Sequence, residues 1–214
     1  MTAPIVTVRG EAQLEGPPDL AGLSCTLHAS GDSAEDVRRQ LATGSQAVAA
    51  LLERYAAALE RSSTSGLHVS PTFNHRNPTK ITGYTGTFTT SLVVSDFDAL
   101  SELIMALSAL PSSQLDGPWW SLRPDNPMHR EVRLAAIADA RRRADDYAAA
   151  FGATVAELVE VSDLDCDLGG RYSMRMAAME MVADDSTFAF EPAQQTVSGQ
   201  VTVRFTIRGG WSGG

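Results

Sequence analysis

The sequence predicts an α+β protein, mostly antiparallel sheet with three main helices. Segments that alternate apolar and polar residues, as strands do, are interspersed with three segments whose apolar residues recur at helical spacing. Several predicted strands also follow one another with no helix between them, which favours hairpins over parallel crossovers. The predicted order of elements is therefore β-β-α-β-β-α-β-α-β-(loop)-β.

The strand predictions rest on β-branched and aromatic residues bounded by turn residues. The first strand is ended by the turn residues at 16–19, and the last alternates cleanly. The predicted strands cover residues 5–14, 20–29, 67–73, 81–94, 115–122, 155–161 and 197–207.

The first two helices are predicted from capping residues and apolar stripes. Ser33, with Asp36 three residues later, has the spacing of a capped helix start. The apolar spacing continues to Leu59, so the helix is expected to end at residues 62–66. Asp96 is predicted to cap the second helix.

The third helix is predicted to begin at Asn126-Pro127, with proline at its first position, and to end before Gly152. Its apolar side is rich in alanine, so this helix can approach a sheet closely. The residues expected on that side are Val132, Ala136, Ile137, Ala140, Ala144, Tyr147, Ala148 and Phe151.

The chain is long enough for one domain or for two packed lobes. Residues 1–208 are predicted to form one domain, or two lobes of about 1–124 and 125–208. Residues 209–214 are expected to be a flexible tail. Residues 162–195 have only weak patterning, and the sequence leaves open whether they are ordered in a monomer.

The charge limits the partners. The net charge is −9, from 26 acidic against 17 basic residues, which disfavours binding to nucleic acid or anionic lipid. No segment is apolar enough to insert directly into a membrane. No signal peptide is visible, so a cytoplasmic location is expected.

No catalytic or metal-binding motif is visible in the sequence. The four histidines show no metal-binding spacing, and Cys25 and Cys166 are too far apart for a zinc or disulfide framework. The acidic run 163–167 fails the calcium-loop pattern, because that loop would require glycine at Leu168 and glutamate at Met174. We therefore expect no catalytic residues, no metal, no cofactor and no enzymatic activity.

Two features suggest contact surfaces instead. Trp119 and Trp120 are neighbours on one strand, so one ring should pack in the core and the other should lie at an edge. Four methionines within eight residues form adaptable packing material, suited to self-association. They are Met174, Met176, Met179 and Met181.

Several segments together resemble the SIMPL-domain family, which has no assigned enzymatic activity. The most specific is the third helix with its exit. The resembling segments are the opening strand to Gly10, residues 18–21, 83–84, 93–103, 136–152 and 199–203. The sequence departs from the family in lacking the usual signal peptide and in having Ser198-Gly199 where Pro-Gly is common.

The resemblance implies a bacterial α+β protein whose relatives are often exported to the cell envelope, are linked to stress tolerance and can self-assemble. It supplies no catalytic residue. The leading hypothesis is therefore a non-catalytic, self-associating protein of unknown molecular function, acting as a stress-related scaffold. One alternative is a small-molecule or peptide binding module with its site in a cleft near Trp119, Trp120 and the hairpin of residues 68–75. A second alternative is an unrecognised hydrolase.

Overall fold

The computed structural model describes residues 3–74, 77–163 and 190–209. Within them are three α-helices, one short 3-10 helix and seven strands, all paired antiparallel. The α+β class and the predicted order of elements are confirmed. The elements are β1 (Ile5–Gly16), β2 (Leu20–Gly31), α1 (Ala34–Arg54), the 3-10 helix (Ala56–Ala58), β3 (Leu59–Asn74), β4 (Asn77–Val94), α2 (Leu100–Ser108), β5 (Ser113–Ser121), α3 (Met128–Ala150), β6 (Ala153–Ser162) and β7 (Gln195–Gly209).

The chain divides into two compact units, of which the first contains β1, α3, β6 and β7. Its sheet has the order β1-β7-β6, and α3 packs on one face. The division places β1 with α3, whereas the two-lobe interpretation grouped β1 with residues 18–124. The buried residues of α3 recur at every fourth position and are Val132, Ala136, Ala140, Ala144 and Ala148.

The alanines of α3 allow the helix backbone to lie against the sheet. A Cβ atom added to Gly10 of β1 would lie 2.0 Å from the carbonyl oxygen of Ala136 and 2.7 Å from the Cβ of Ala140. No side chain fits in that space. Glycine on the strand and alanine on the helix are therefore both required by the same close contact.

The second unit contains β2, β3, β4, β5, α1 and α2. Its sheet has the order β3-β4-β2-β5. Both helices pack on one face, where they bury leucine and valine side chains, whereas the other face carries mainly serine, threonine and histidine. The buried residues of the two helices are Val37, Leu41, Val48, Leu100, Leu103 and Leu107.

The predicted end of the first helix is wrong. Ser33 does cap α1, accepting a hydrogen bond from the Asp36 N–H at 3.1 Å. However, α1 ends at Arg54, and residues 62–66 belong to β3, where they pair with β4. The long ladder of β4 holds this serine-rich segment extended, because cross-strand pairing outweighs local propensity.

The predictions for the other two helices need smaller corrections. Asp96 does not cap α2, which begins after Ala99, because its carboxylate instead accepts a hydrogen bond from the Asp98 N–H at 3.0 Å. Pro127 is the N-cap of α3 rather than its first residue, and Asn126 accepts from the Met128 N–H.

Three residues predicted on the buried side of α3 are exposed. They are Ile137, Tyr147 and Phe151. The buried stripe recurs strictly every four residues, so it is narrower than the side that the apolar pattern predicted.

Candidate functional site

Four exposed apolar side chains on the first unit form a group that we call the apolar patch: Leu134 and Ile137 of α3, and Leu158 and Val161 of β6. Leu158 is 60% exposed and Val161 is 52% exposed. Leu134 and Ile137, three residues apart on the helix and therefore neighbours on its surface, are each about half exposed.

Strand register places Leu158 and Val161 on the face of the sheet that α3 covers. Leu158 pairs with Phe205 of β7, and Val161 pairs with Val203. Paired residues share a face. Val203 belongs to the core cluster under α3, and Phe205 packs against that cluster. Leu158 and Val161 thus continue that core outward to the edge of the sheet, beyond the cover that α3 gives.

Ile137 lies on the flank of α3 that is nearer to β6. On the opposite flank, Asp139 accepts a hydrogen bond from the Glu11 N–H of β1 at 3.1 Å, and Arg143 donates to the Arg9 carbonyl. Two residues turn a helix by roughly 200°, so Ile137 points away from the β1 side. Because β6 is at the other end of the sheet, Ile137 faces the same side as Leu158 and Val161.

The two edges of this sheet differ. On β1, the backbone groups of Arg9 and Glu11 are bonded by α3 side chains, which cover that edge. On the part of the chain that the structure describes, β6 pairs with β7 alone. Its acidic residues are matched by β7: Glu160 pairs with Arg204 at 3.0 Å and Glu157 with Arg208 at 3.3 Å.

A cavity of about 440 Å³ lies on the second unit, and we call it the histidine cavity. It opens beside the last residues of β2, because the pairing of β5 with β2 ends at Leu27. His28 of β2 and His68 of β3 both pair with Thr87 of β4, so the three residues form one row across the sheet. The lining residues are His28, Ala29, Ser30, Gln40, His68, Thr85, Gly86, Thr87 and Ser112.

A hydrogen-bonded chain leads from a carboxylate to His28. Gln114 of β5 donates to Asp116 at 3.4 Å, and its Oε1 lies 3.2 Å from His28 Nε2. Since the amide NH₂ of Gln114 is directed to the carboxylate, its oxygen faces His28 and accepts a hydrogen bond in the tautomer that carries the proton on Nε2.

The two tryptophans lie on opposite faces of β5, as the sequence predicted. Trp120 packs against the core and meets the Phe97 ring edge-on, with 5.0 Å between ring centroids. Trp119 is 44% exposed, and its Cε3 lies 3.5 Å from the position that a Cβ on Gly22 would occupy. Neither tryptophan lines the histidine cavity.

The remaining residues that the sequence singled out do not form a site in the part of the chain that the structure describes. Met174, Met176, Met179 and Met181 lie outside the described residues, as do Cys166 and His75. Among the described residues there is no group of three or more His, Cys, Asp or Glu side chains that could hold a metal ion. Burial raises the pKa of the Cys25 thiol through desolvation, so this cysteine is a core side chain.

Sequence comparison identifies the family. The family described as SIMPL, a protein of unknown function (DUF541), matches residues 6–205. The chain therefore belongs to the SIMPL family. No curated protein matches the chain.

Two solved structures show limited similarity. One is a crystal structure from Burkholderia cenocepacia, described as an amidohydrolase or peptidase, with 18% identity and a TM-score of 0.31. The match covers 58% of this chain and 32% of that one, so this chain spans about a third of its length. The other is an unknown protein from Galdieria sulphuraria, with 14% identity, a TM-score of 0.23 and coverage of 87% and 81%.

Sequence reasoning missed the apolar patch. Of the histidine cavity it indicated only His68, through the hairpin of residues 68–75 that was placed with the two tryptophans at a possible binding cleft. Leu158 and Val161 were predicted within a strand. The sequence pattern does not show which part of the sheet the helix leaves uncovered, because that depends on packing. For the cavity a signal exists: His28 and Thr87 occupy the polar positions of two alternating strands. The register that aligns both histidines with Thr87 is not readable from either strand alone.

No helix in the described residues is both long enough and apolar enough to cross a membrane.

Proposed function

We propose that this protein is a non-catalytic, self-associating member of the SIMPL family and that two copies meet through the apolar patch. The observation that carries the proposal is the exposure of Leu158 and Val161 on the face of the sheet that elsewhere forms the core. Exposed apolar groups that continue a core mark interaction surfaces. With the family resemblance, such an assembly would serve as a stress-related scaffold.

A second copy of the chain is the occupant that the edge geometry favours. Within the described part of the chain β6 pairs with β7 alone, so the backbone N–H and C=O groups on its outer side can pair with an added strand. When β6 pairs antiparallel with β6 of another copy, a two-fold axis relates the copies. Each strand then provides hydrogen-bond partners for the outer backbone groups of the other. The covered edge of β1 does not offer this possibility.

The local charges favour the same contact. Bringing two copies of β6 together brings Glu157 and Glu160 of both copies near one another. Their pairing with Arg208 and Arg204 lowers the repulsion, because each acid already has a cation beside it. A strongly basic partner is not required for this face.

The expected affinity is modest. Covering a half-exposed leucine, isoleucine or valine contributes about 1 kcal/mol, and a two-fold contact covers eight such side chains from the two patches. That total is comparable with the free energy lost on association. We therefore expect a dimer that dissociates on dilution.

Sedimentation velocity over a wide range of concentration tests this proposal. Leu158→Lys should weaken association at least about 100-fold, since a two-fold contact contains the change twice and each charge would be buried without a partner. The matched control is Leu67→Lys on β3, because Leu67 is 62% exposed and belongs to the other unit. It should associate like the unchanged protein.

Three results would contradict the proposal. The unchanged protein could be a monomer at all concentrations, Leu158→Lys could associate normally, or Leu67→Lys could be the variant that dissociates. The contribution of the four methionines stays a prediction. Changing all four to serine should weaken association if they line the contact.

A binding module near Trp119 and Trp120 is a second proposal, supported by the exposed ring of Trp119 on the polar face of its sheet. A screen of small aromatic molecules and short peptides would then quench tryptophan fluorescence, and Trp119→Ala would abolish the quenching. Self-association through the apolar patch predicts instead that Trp119→Ala leaves the oligomeric state unchanged.

A further inference from the structure

The histidine cavity brings two imidazoles to the two sides of one threonine. Because His28 and His68 both pair with Thr87, their strands are two strand spacings apart, roughly 9–10 Å. Both rings line the same opening. A ligand above Thr87 can therefore meet one ring on each side and a hydroxyl below.

Apart from Ala29 and Gly86, the rest of the lining carries polar side chains that can donate hydrogen bonds. Thr85 and Ser30 add hydroxyls. The His28 N–H donates to the Ser112 carbonyl at 2.9 Å, on the side of β2 facing β5. Strand alternation directs the Ser30 N–H to the same side, away from Thr87, so side chains rather than this backbone group supply the donors above Thr87. Hydroxyls and imidazoles are groups that bind oxyanions.

The charges around the cavity agree with an anionic ligand. In a chain of net charge −9, the described residues that line the cavity include no aspartate or glutamate. The element behind them, α1, contributes the neutral Gln40. The nearest acid in the hydrogen-bonded network is Asp116, which contacts Gln114 and through it His28.

We propose that the histidine cavity binds a small oxyanion, a carboxylate or a phosphate group, between His28 and His68 above Thr87. The volume of about 440 Å³ suits a small organic acid or phosphate ester. This site lies in a different unit from the apolar patch and does not depend on self-association. A protonated imidazole adds a positive charge that attracts an anion, so binding is tighter in mild acid.

Histidine ring signals in NMR spectra test the proposal, because the chain has only four histidines. Inorganic phosphate and succinate are the two probes, each titrated against potassium chloride of equal ionic strength. At about pH 5.5 the signals of His28 and His68 should shift with saturation at millimolar probe. At about pH 8 the affinity should fall at least about tenfold. The stronger of the two probes identifies phosphate or carboxylate as the preferred group.

Variants locate the site. His28→Asn should abolish the shift of the His68 signal, and His68→Asn should abolish that of His28. Thr87→Val, which keeps both rings, should weaken binding several-fold. His129→Asn is the control, because His129 lies in the other unit beside the Arg123 carbonyl. Urea unfolding midpoints equal to that of the unchanged protein establish that each variant is folded.

The proposal is overturned if neither probe shifts His28 and His68 beyond the chloride control. It is also overturned if all four histidines respond alike, or if binding persists in both single histidine variants.

Discussion

The sheet of the first unit is covered by one helix lined with alanine, whereas the sheet of the second unit is covered by two helices that contribute leucine and valine. The narrow helix lies closer to its sheet but covers less of it. The apolar residues Leu158 and Val161 are left uncovered at the edge as a result. In the second unit the uncovered face is polar instead, and it carries the histidine cavity.

This difference separates two kinds of surface. An uncovered apolar face that continues a core is in unfavourable contact with water. Covering it with another apolar surface therefore lowers the free energy. An uncovered face of hydroxyls and imidazoles is already well solvated and gains mainly from a ligand with matching hydrogen-bonding groups. The first unit is thus suited to contact between copies, and the second to a small polar ligand.

Gly10→Ala should break the close contact of the first unit and strongly destabilise the protein. The added methyl would overlap the backbone of α3 at Ala136, and the helix would have to move. We expect a loss of about 3 kcal/mol in the free energy of unfolding, measured by urea denaturation. The matched control is Gly66→Ala, where no atom lies within 4 Å of the added methyl.

Gly66→Ala should leave stability unchanged or raise it slightly, since it restricts the unfolded chain. Equal effects of the two substitutions would show that α3 does not lie against β1 as described.

The two tryptophans sharpen the contrast between the covered and uncovered faces of the second unit. Trp120→Ala removes a ring that packs against Phe97 and the core, and should cost about 3 kcal/mol. Trp119→Ala removes an exposed ring and should change the free energy of unfolding by less than about 0.5 kcal/mol. Thermal or urea unfolding of both variants measures these losses. A larger loss for Trp119→Ala than for Trp120→Ala would contradict the packing of Trp120 against the core.

Labelling of Cys25 reports on the core of the second unit. Burial raises the pKa of its thiol, so the reactive thiolate is scarce in the folded protein near neutral pH. In a Cys166→Ser variant, a thiol reagent at about pH 8 should label Cys25 at least about 100-fold more slowly in buffer than in urea. Rapid labelling in buffer would mean that this core opens readily.

The sequence predicted the fold because each element has a local signal. Alternation identified the strands, and Ser33 identified the start of α1 through its own side chain. The alanine stripe also identified α3 as a helix suited to close packing. The predictions failed where distant pairing decides the structure: β4 holds residues 62–66 extended, although their composition is typical of a loop.

The candidate sites were harder to predict than the fold. Whether Ile137 is buried depends on how wide the helix is compared with the sheet under it. The periodicity of α3 does not give this information. His28 and His68 are forty residues apart in the sequence and meet in one row only through the register of each with Thr87. Only the placement of Trp119 and Trp120 on opposite faces of β5 followed directly from strand alternation.

Hydrogen–deuterium exchange at low and high protein concentration tests the central claim most directly, because it locates the contact between copies. Self-association through the first unit predicts that the amides of β6, residues 153–162, exchange more slowly at high concentration. Those of β1 and of β3 should keep the same rates. Protection that appears in β3, or no change with concentration in any strand, would contradict the proposed contact.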